Sequence, residues 1–478
     1  MEVTKYAGSK AIMTTDAQLF VLPSTDTSVS EKRYVKYNAV SDTSLTPMEF
    51  NIPALDTYVD LNMSYFVVKV RFELLDGNAI VDASTVFPNP NLIHTMIKQF
   101  NMTWNGVLLN PQTDTYSYRD WISKLFNFTP EEGNTNLAPE GFWSRESKTQ
   151  VMPIEPPTTL TANTVNFADD NGVPGHADLR ALPLGQQGFL WASKREKEKL
   201  FLKAWQTFVF KPNHELFYSN RLTPPGIEQK FNFSFHPQKF YMNATGVANA
   251  MAVKELEPDN FKMYFVLCLK TLNPILYKQI DQARHTQRRN VVIPTNRSEI
   301  RTYALPANIT EFNQSDIFQG RIPQRMIVGI VESEAFNGNR LNPPFAFGKY
   351  GMQYIKQVIR GEEYPYQTLE LNPNTAENDM LGYHRFLEAG GFLNEVRPTM
   401  VRPDMWGQTN NLTLYVFNNT PSGKIDGPNF NPQQRGNFTL QFKLGTPINR
   451  VLTVIIYAEF EAVLTIDPNG AILYDIHT

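Results

Sequence analysis

Ile97-Lys98-Gln99, Leu109-Asn110-Pro111, Tyr118-Arg119 and Phe126 follow one another in the first part of this 478-residue chain. Ile355-Lys356-Gln357, Leu371-Asn372-Pro373, Tyr383-His384-Arg385 and Phe392 follow one another in the second. One shared tripeptide would be coincidence, but several landmarks in a fixed order are the trace of a duplicated structural unit. The chain therefore reads as two related halves.

Working outward, each half ends on the same pattern. Leu452, Val454, Ile456, Ala458, Phe460, Ala462, Leu464 and Ile466 occupy every other position, the period of a strand with one buried face. Phe438, Leu440, Phe442 and Leu444 alternate just before it, and the turn at Pro447 to Arg450 predicts that the two strands pair. In the first half Phe231, Phe233 and Phe235 are followed by Phe261, Met263, Phe265, Leu267 and Leu269, so the same closing pair is expected there.

Further strands are expected at 34–37, 48–52, 58–75 (with Phe66, Val68, Val70, Phe72 and Leu74 on one face), 100–104 and 200–210. The second half repeats them at 299–305, 309–312, 325–331 and 412–417, with 347–359 either a helix or a long strand. Asn105-Gly106 signals a hairpin turn. Tyr118, Trp121, Ile122, Leu125 and Phe126 recur at helical spacing, predicting a short amphipathic helix over 115–126. Its counterpart runs over 383–389 and stops at Gly390-Gly391. About eight strands and one small helix per half is the content of a jelly-roll sandwich.

Composition agrees. A chain of this length with 42% hydrophobic residues exceeds one core, and 33 Phe, 20 Tyr and 33 Pro with 19% charged residues suit aromatic strands joined by proline-bearing loops. The expected fold class is all-β, two tandem jelly rolls. The expected division is an N-terminal arm at 1–30, a first jelly roll at 31–276, a linker at 277–296, a second jelly roll at 297–467 and a tail at 468–478. Between Thr129 and Lys199 the strand pattern dissolves into Gly, Pro, Asn and acidic residues with no counterpart in the second half. This is expected to be a surface insertion that projects from the outer rim of the first jelly roll and either contacts a neighbouring subunit or forms a tower, Phe142, Trp143, Phe189 and Trp191 being too apolar for a free loop.

Several function classes fall away. The single cysteine, Cys268, sits in an apolar run and reads as a core thiol. No secretory signal and no bilayer-spanning run is visible, so a soluble protein made in a reducing compartment is expected, and Asn232-Phe233-Ser234 and Asn437-Phe438-Thr439 are not read as glycan sites. A net charge of -3 does not suit direct coating of nucleic acid. The densest basic run, Arg284 to Arg289, reads as a solvated linker, with phosphate contact as the alternative.

His94, His176, His214, His236, His285, His384 and His477 are scattered singly, without zinc-site spacing. Neither a Gly-x-Ser-x-Gly elbow nor a phosphate-binding Gly-Lys-Ser/Thr loop occurs. Glu362-Glu363, and Glu459 with Glu461, offer carboxylate pairs for a glycosidase, but the last two fall on the solvent parity of their strand. The reading is therefore of no catalytic, cofactor-binding or metal-ligating residue, no cofactor and no enzyme. The rival is a carbohydrate-binding or carbohydrate-cleaving β-sandwich, to which Trp143, Trp191 and Trp406 would contribute.

The passage Glu31-Lys32-Arg33-Tyr34 to Pro47-Met48-Glu49-Phe50-Asn51-Ile52-Pro53 with Tyr58-Val59-Asp60-Leu61, and Asn105-Gly106 followed by Tyr116-Ser117-Tyr118-Arg119, resemble the double jelly-roll major capsid proteins of Polinton/Maverick elements and their adintovirus relatives. The resemblance runs from about Glu31 to Asp467. It implies homotrimeric, hexon-like capsomers with a pseudo-hexagonal outline, tiling an icosahedral shell around double-stranded DNA in the virion. Neighbouring capsomers, a single jelly-roll penton protein and minor capsid proteins are the implied partners, with no sequence-specific nucleic-acid binding. It carries no catalytic site. A vertex or spike protein of the same shell would need only one jelly roll.

Overall fold

The computed structural model describes residues 22, 25–40, 47–75, 77, 86–110, 113–142, 205–244, 253–340, 342–365, 367–373, 380–395, 397–403, 405–407, 412–425, 430–432 and 434–475. Most of the N-terminal arm, the insertion from residue 143 onward with Trp143, His176, Phe189 and Trp191, and His477 lie outside the described residues.

The strands of the first half are β1 (Val29–Asn38), β2 (Met48–Ile52), β3 (Tyr58–Val70), β4 (Val86–Pro88), β5 (Ile97–Trp104), β6 (Val107–Leu108), β7 (Gln206–Phe210), β8 (Gln229–Phe235), β9 (Met242–Ala244) and β10 (Phe261–Leu272). The second half has β11 (Val291–Leu305), β12 (Glu311–Ser315), β13 (Arg325–Glu332), β14 (Met352–Ile359), β15 (Glu362–Glu363), β16 (Leu369–Glu370), β17 (Leu414–Asn418), β18 (Phe438–Leu444), β19 (Leu452–Ile466) and β20 (Ile472–Asp475). The first half forms the sheets β1-β10-β3-β7 and β2-β8-β5-β6. The second forms β11-β19-β13-β17 and β12-β18-β14-β15, and β4 with β9 makes a small ribbon.

Setting the small ribbon and the short strands β16 and β20 aside and counting strands within each half, both follow the permutation 1-8-3-6 and 2-7-4-5. This is the jelly roll, present twice. Ile97 and Ile355 lie on the fourth strand of their respective halves. The next turn is also shared: Asn105 and Gly106 have φ of 43° and 81°, Arg360 and Gly361 have 55° and 90°. Both therefore meet the positive-φ requirement of a two-residue hairpin, although Arg-Gly carries no such signal in sequence.

The expected closing pairs do not form. β8 lies between β2 and β5 while β10 lies between β1 and β3; likewise β18 and β19 belong to opposite sheets. A period of two reports a buried face but not the neighbouring strand, and the jelly roll sends consecutive strands to alternate sheets. Of residues 347–359, Met352–Ile359 form strand β14, which pairs with β18, and the part before it is loop and turn. β11 begins at Val291, inside the stretch expected as linker, and β20 pairs with β19 inside the expected tail.

The two hydrophobic cores do not respect the halves. That of the second sandwich includes Tyr118, Trp121, Ile122, Leu125, Phe126, Leu137 and Phe142 from the first half. That of the first includes Ile293, Leu464 and Ile466, the far ends of the β11/β19 ribbon. Each sandwich thus completes its core with the other's residues. Leu137 and Phe142 belong to the start of the expected insertion, so 129–142 is part of the packed body rather than a projection. Thr129 opens this stretch with a capping box, its hydroxyl accepting from the Glu132 N–H at 3.3 Å while the Glu132 carboxylate accepts from the Thr129 N–H at 2.8 Å.

Candidate functional site: the junction between the sandwiches

The junction is built on the Tyr116–Asn127 helix. Ten of its twelve residues are buried, so the amphipathic helix of the sequence is enclosed on nearly every side. Tyr118 and Trp121 pack on Phe345 with ring centroids 5.3 and 5.1 Å apart, and the Tyr118 hydroxyl donates to the Pro344 carbonyl at 2.9 Å. Phe126 meets Phe386 and Phe392 at 5.5 and 5.7 Å. Above it the Arg325 guanidinium lies 5.3 Å from the ring centre, while its Nε and Nη2 each donate to a Glu459 oxygen at 2.8 Å. The Tyr457 hydroxyl donates to the same carboxylate at 2.8 Å. This is a bidentate charge-assisted pair with its acceptor fully engaged.

The opposite side of the helix carries charges that the sequence did not single out. Asp120 and Lys124 stand one turn apart at 3.1 Å, Lys124 reaches Glu140 at 2.6 Å and Asn91 at 2.9 Å, and His94 sits 3.2 Å from Asp120 and 3.3 Å from Glu140. All are buried. Burial alone would raise the Glu140 carboxyl, but the Lys124 ammonium and His94 outweigh it and hold the group at about 2. The signal in sequence was two charges set into an otherwise apolar helical stripe, and it was missed because an i,i+4 pair ordinarily faces solvent. His214 is buried and His236 half-buried; desolvation outweighs the Glu215 carboxylate, 3.5 Å from His214 Nδ1, and lowers the two imidazoles to about 4 and about 3.

Between the sandwiches lies a cleft of about 660 Å³ whose lining includes Lys124, His214, Glu215, Arg325, Glu459 and Glu461. Glu459 and Glu461 therefore face this cleft rather than open solvent, which corrects the reading from strand parity. None is poised as a free acid or base: Glu459 is clamped as described, Glu461 accepts from the Asn431 N–H at 2.9 Å, and Glu215 accepts from the Ser298 N–H at 3.1 Å. Trp406 is buried, its Nε1 donating to the Leu414 carbonyl at 3.0 Å, so it offers no exposed ring to a sugar. Arg284 is also drawn in, donating to the Pro225 carbonyl at 3.2 Å. Cys268 is fully buried. Among the described residues no group of three His, Cys, Asp or Glu could hold a metal ion, and no helix is long and apolar enough to cross a membrane.

No protein-family model matches the chain. Among curated proteins, an uncharacterized protein of Caenorhabditis elegans is 20% identical over 467 residues, covering 93% of this chain and 97% of that one. Among solved structures, the PBCV-1 virus capsid is similar at a TM-score of 0.55 and 10% identity, with 96% of this chain and 100% of that one covered. The mavirus major capsid protein is similar at 0.53 and 12%, with 99% and 96% covered. The Sputnik virophage structure is similar at 0.55 and 11%, with 98% and 93% covered. At these identities the likeness is one of fold, and over nearly the whole chain that fold is the double jelly roll.

Proposed function

We propose that this chain is a major capsid protein whose homotrimers form pseudo-hexagonal capsomers of an icosahedral shell around double-stranded DNA. The observation that carries the reading is the pair of sandwiches with one strand permutation, joined through the Tyr116–Asn127 helix into a double unit with shared cores. Three such units supply six sandwiches, and a closed ring through a heterologous interface satisfies every repeated face. The likeness to capsid proteins of PBCV-1, mavirus and Sputnik over nearly the whole chain supports it. The virion shell is then the location, with host-cell synthesis, and the partners are further capsomers, a single jelly-roll penton protein and minor capsid proteins. A Polinton or adintovirus-like source fits the sequence resemblance.

Light scattering and negative-stain microscopy of the purified protein test this. The expected result is a trimer of hexagonal outline burying upwards of roughly 2,000 Å² per subunit pair. A stable monomer at micromolar concentration, with no hexagonal particle, overturns it.

A further inference from the structure

Lys124 and Asn91 meet inside the junction in an arrangement that a structural ion pair does not require. The Lys124 ammonium donates to the Asn91 side-chain carbonyl at 2.9 Å. It also meets the carboxylates of Glu140 at 2.6 Å and Asp120 at 3.1 Å. The same Asp120 Oδ2 that faces the amine accepts from the Asn91 Nδ2–H at 2.5 Å. One carboxylate oxygen thus stands between an amine and the nitrogen of a primary amide, while a second carboxylate holds the amine.

Three short elements converge to make this. Asn91, at a left-handed φ of 59°, opens the Leu92–Met96 turn, Asp120 and Lys124 lie one turn apart on the Tyr116–Asn127 helix, and Glu140 ends the Ala138–Glu140 turn. Asn91 and Asp120 are fully buried, Lys124 is 1% exposed and Glu140 8%. The other ionisable groups facing the cluster are His94, Tyr116, Lys211 and Tyr218. In a site this dry, burial penalises both charges of an ion pair and so favours passing the ammonium proton to a carboxylate. Water is also kept from competing for the amide. Lys124 Nζ lies within about 4 Å of Asn91 Cγ, because a C=O bond is about 1.2 Å long, and a near-attack geometry needs about 3–3.5 Å.

We propose that Lys124 and Asn91 join in an intramolecular isopeptide bond, with Glu140 and Asp120 as its catalytic carboxylates. Glu140 takes one proton from the ammonium, and the freed lone pair adds to Asn91 Cγ. Asp120 Oδ2 takes a second proton from the attacking nitrogen and hands it to Nδ2. The Cγ–Nδ2 bond breaks, the carbonyl re-forms, and ammonia leaves, carrying the Glu140 proton as ammonium. One alkylammonium and one primary amide become one secondary amide and one ammonium ion, with no oxidant or cofactor. The cleft that Lys124 lines gives the exit. Because Glu140 is held at about 2, the ion pair is the resting state and the bond forms slowly. Once made, it ties the junction helix to the first sandwich across a separation of 33 residues. This activity goes beyond the capsomer reading and does not depend on it.

Tandem mass spectrometry of the digested full-length protein, after incubation at neutral and at alkaline pH, tests it. The expected product is a branched peptide joining Lys124 to Asn91, lighter than its two parts by one ammonia, with no tryptic cleavage after Lys124. Sequencing the branch separates it from cyclisation of an asparagine onto its own backbone, which also loses ammonia. Glu140→Gln, which keeps Asp120 as the countercharge of Lys124, should slow the bond by about 100-fold or more. Lys124→Arg, which keeps a cation there, should form none. Circular dichroism of both variants shows that they are folded, and the wild-type readout needs neither. Wild-type protein that retains a free Lys124 and a free Asn91 after prolonged incubation overturns the proposal. A folded Glu140→Gln protein that crosslinks as fast as the wild type overturns the role of Glu140.

Discussion

Phe126 and Phe392, the last landmarks of the two repeated runs, touch each other: their rings pack with centroids 5.7 Å apart across the boundary between the sandwiches. A duplication has thus been closed by bringing two equivalent residues together. Because Phe126 is fully buried in the second core while belonging to the first half, Phe126→Ala should cost about 3–5 kcal/mol. Denaturant unfolding followed by tryptophan fluorescence and by circular dichroism should show the loss, and the junction should fail before either sandwich. A cost well under 1 kcal/mol would mean that the halves do not depend on this contact.

Gly329 is the position where the sheet admits the junction. A Cβ there would lie 2.4 Å from Phe347 Cδ1 and 3.0 Å from Leu414 Cδ2. Gly329→Ala should therefore destabilise by about 1–3 kcal/mol through overpacking, and Phe347→Leu in the same chain should recover part of it. Thermal melts of the single and double variants decide the matter; a neutral single variant contradicts the close approach.

Lys124 is the cation between the buried Asp120 and Glu140 carboxylates. Lys124→Met leaves both without their closest countercharge, with an expected loss of about 3–5 kcal/mol. The triple variant with Asp120→Asn and Glu140→Gln should regain most of that loss. If Lys124→Met melts like the wild type, the network is not structural.

Acid should unfold the protein in two stages. Burial holds His214 at about 4 against a free value of 6.5, so as pH falls from 6.5 the unfolded chain takes up the proton first. Stability then rises with pH across that window and is lost as pH falls from 6.5 towards 4. Glu140, held at about 2 against a free value of 4.5, gives stability that is complete above 4.5 and is lost as pH falls from there through 2. Melting temperature against pH should drop across both windows, and His214→Asn should make the upper one shallower, leaving the part contributed by His236, held at about 3. A flat profile from 6.5 to 4 in the wild type would refute the first stage.

Removing 143–199 should leave the fold intact, whereas removing 129–199 should not, because the longer deletion takes Leu137, Glu140 and Phe142 out of the packed body. The melting temperatures of the two deletions read the difference. If the longer deletion is as stable as the shorter, the placement of 129–142 is wrong; if the shorter still assembles as well as the full chain, the excised region is not an assembly element.

The sequence by itself determined the strands, the duplication and the short helix, because each is written in local periodicity: Phe66, Val68 and Val70 alternate, and β2 falls on 48–52 as read. It also marked the Asn105-Gly106 hairpin, since positive φ restricts residue choice. Only the tertiary structure decided which strands are neighbours, and that β8 and β10 lie in opposite sheets, because alternation constrains a face and not a partner. It alone placed Glu459 and Glu461 in the cleft: their solvent parity was real for an isolated sheet, but a helix from the other half lies over that face. The Asp120-Lys124-Glu140 network was equally hidden, because whether a charged pair is solvated or buried depends on what packs against it, and here that surrounding spans residues 91–140.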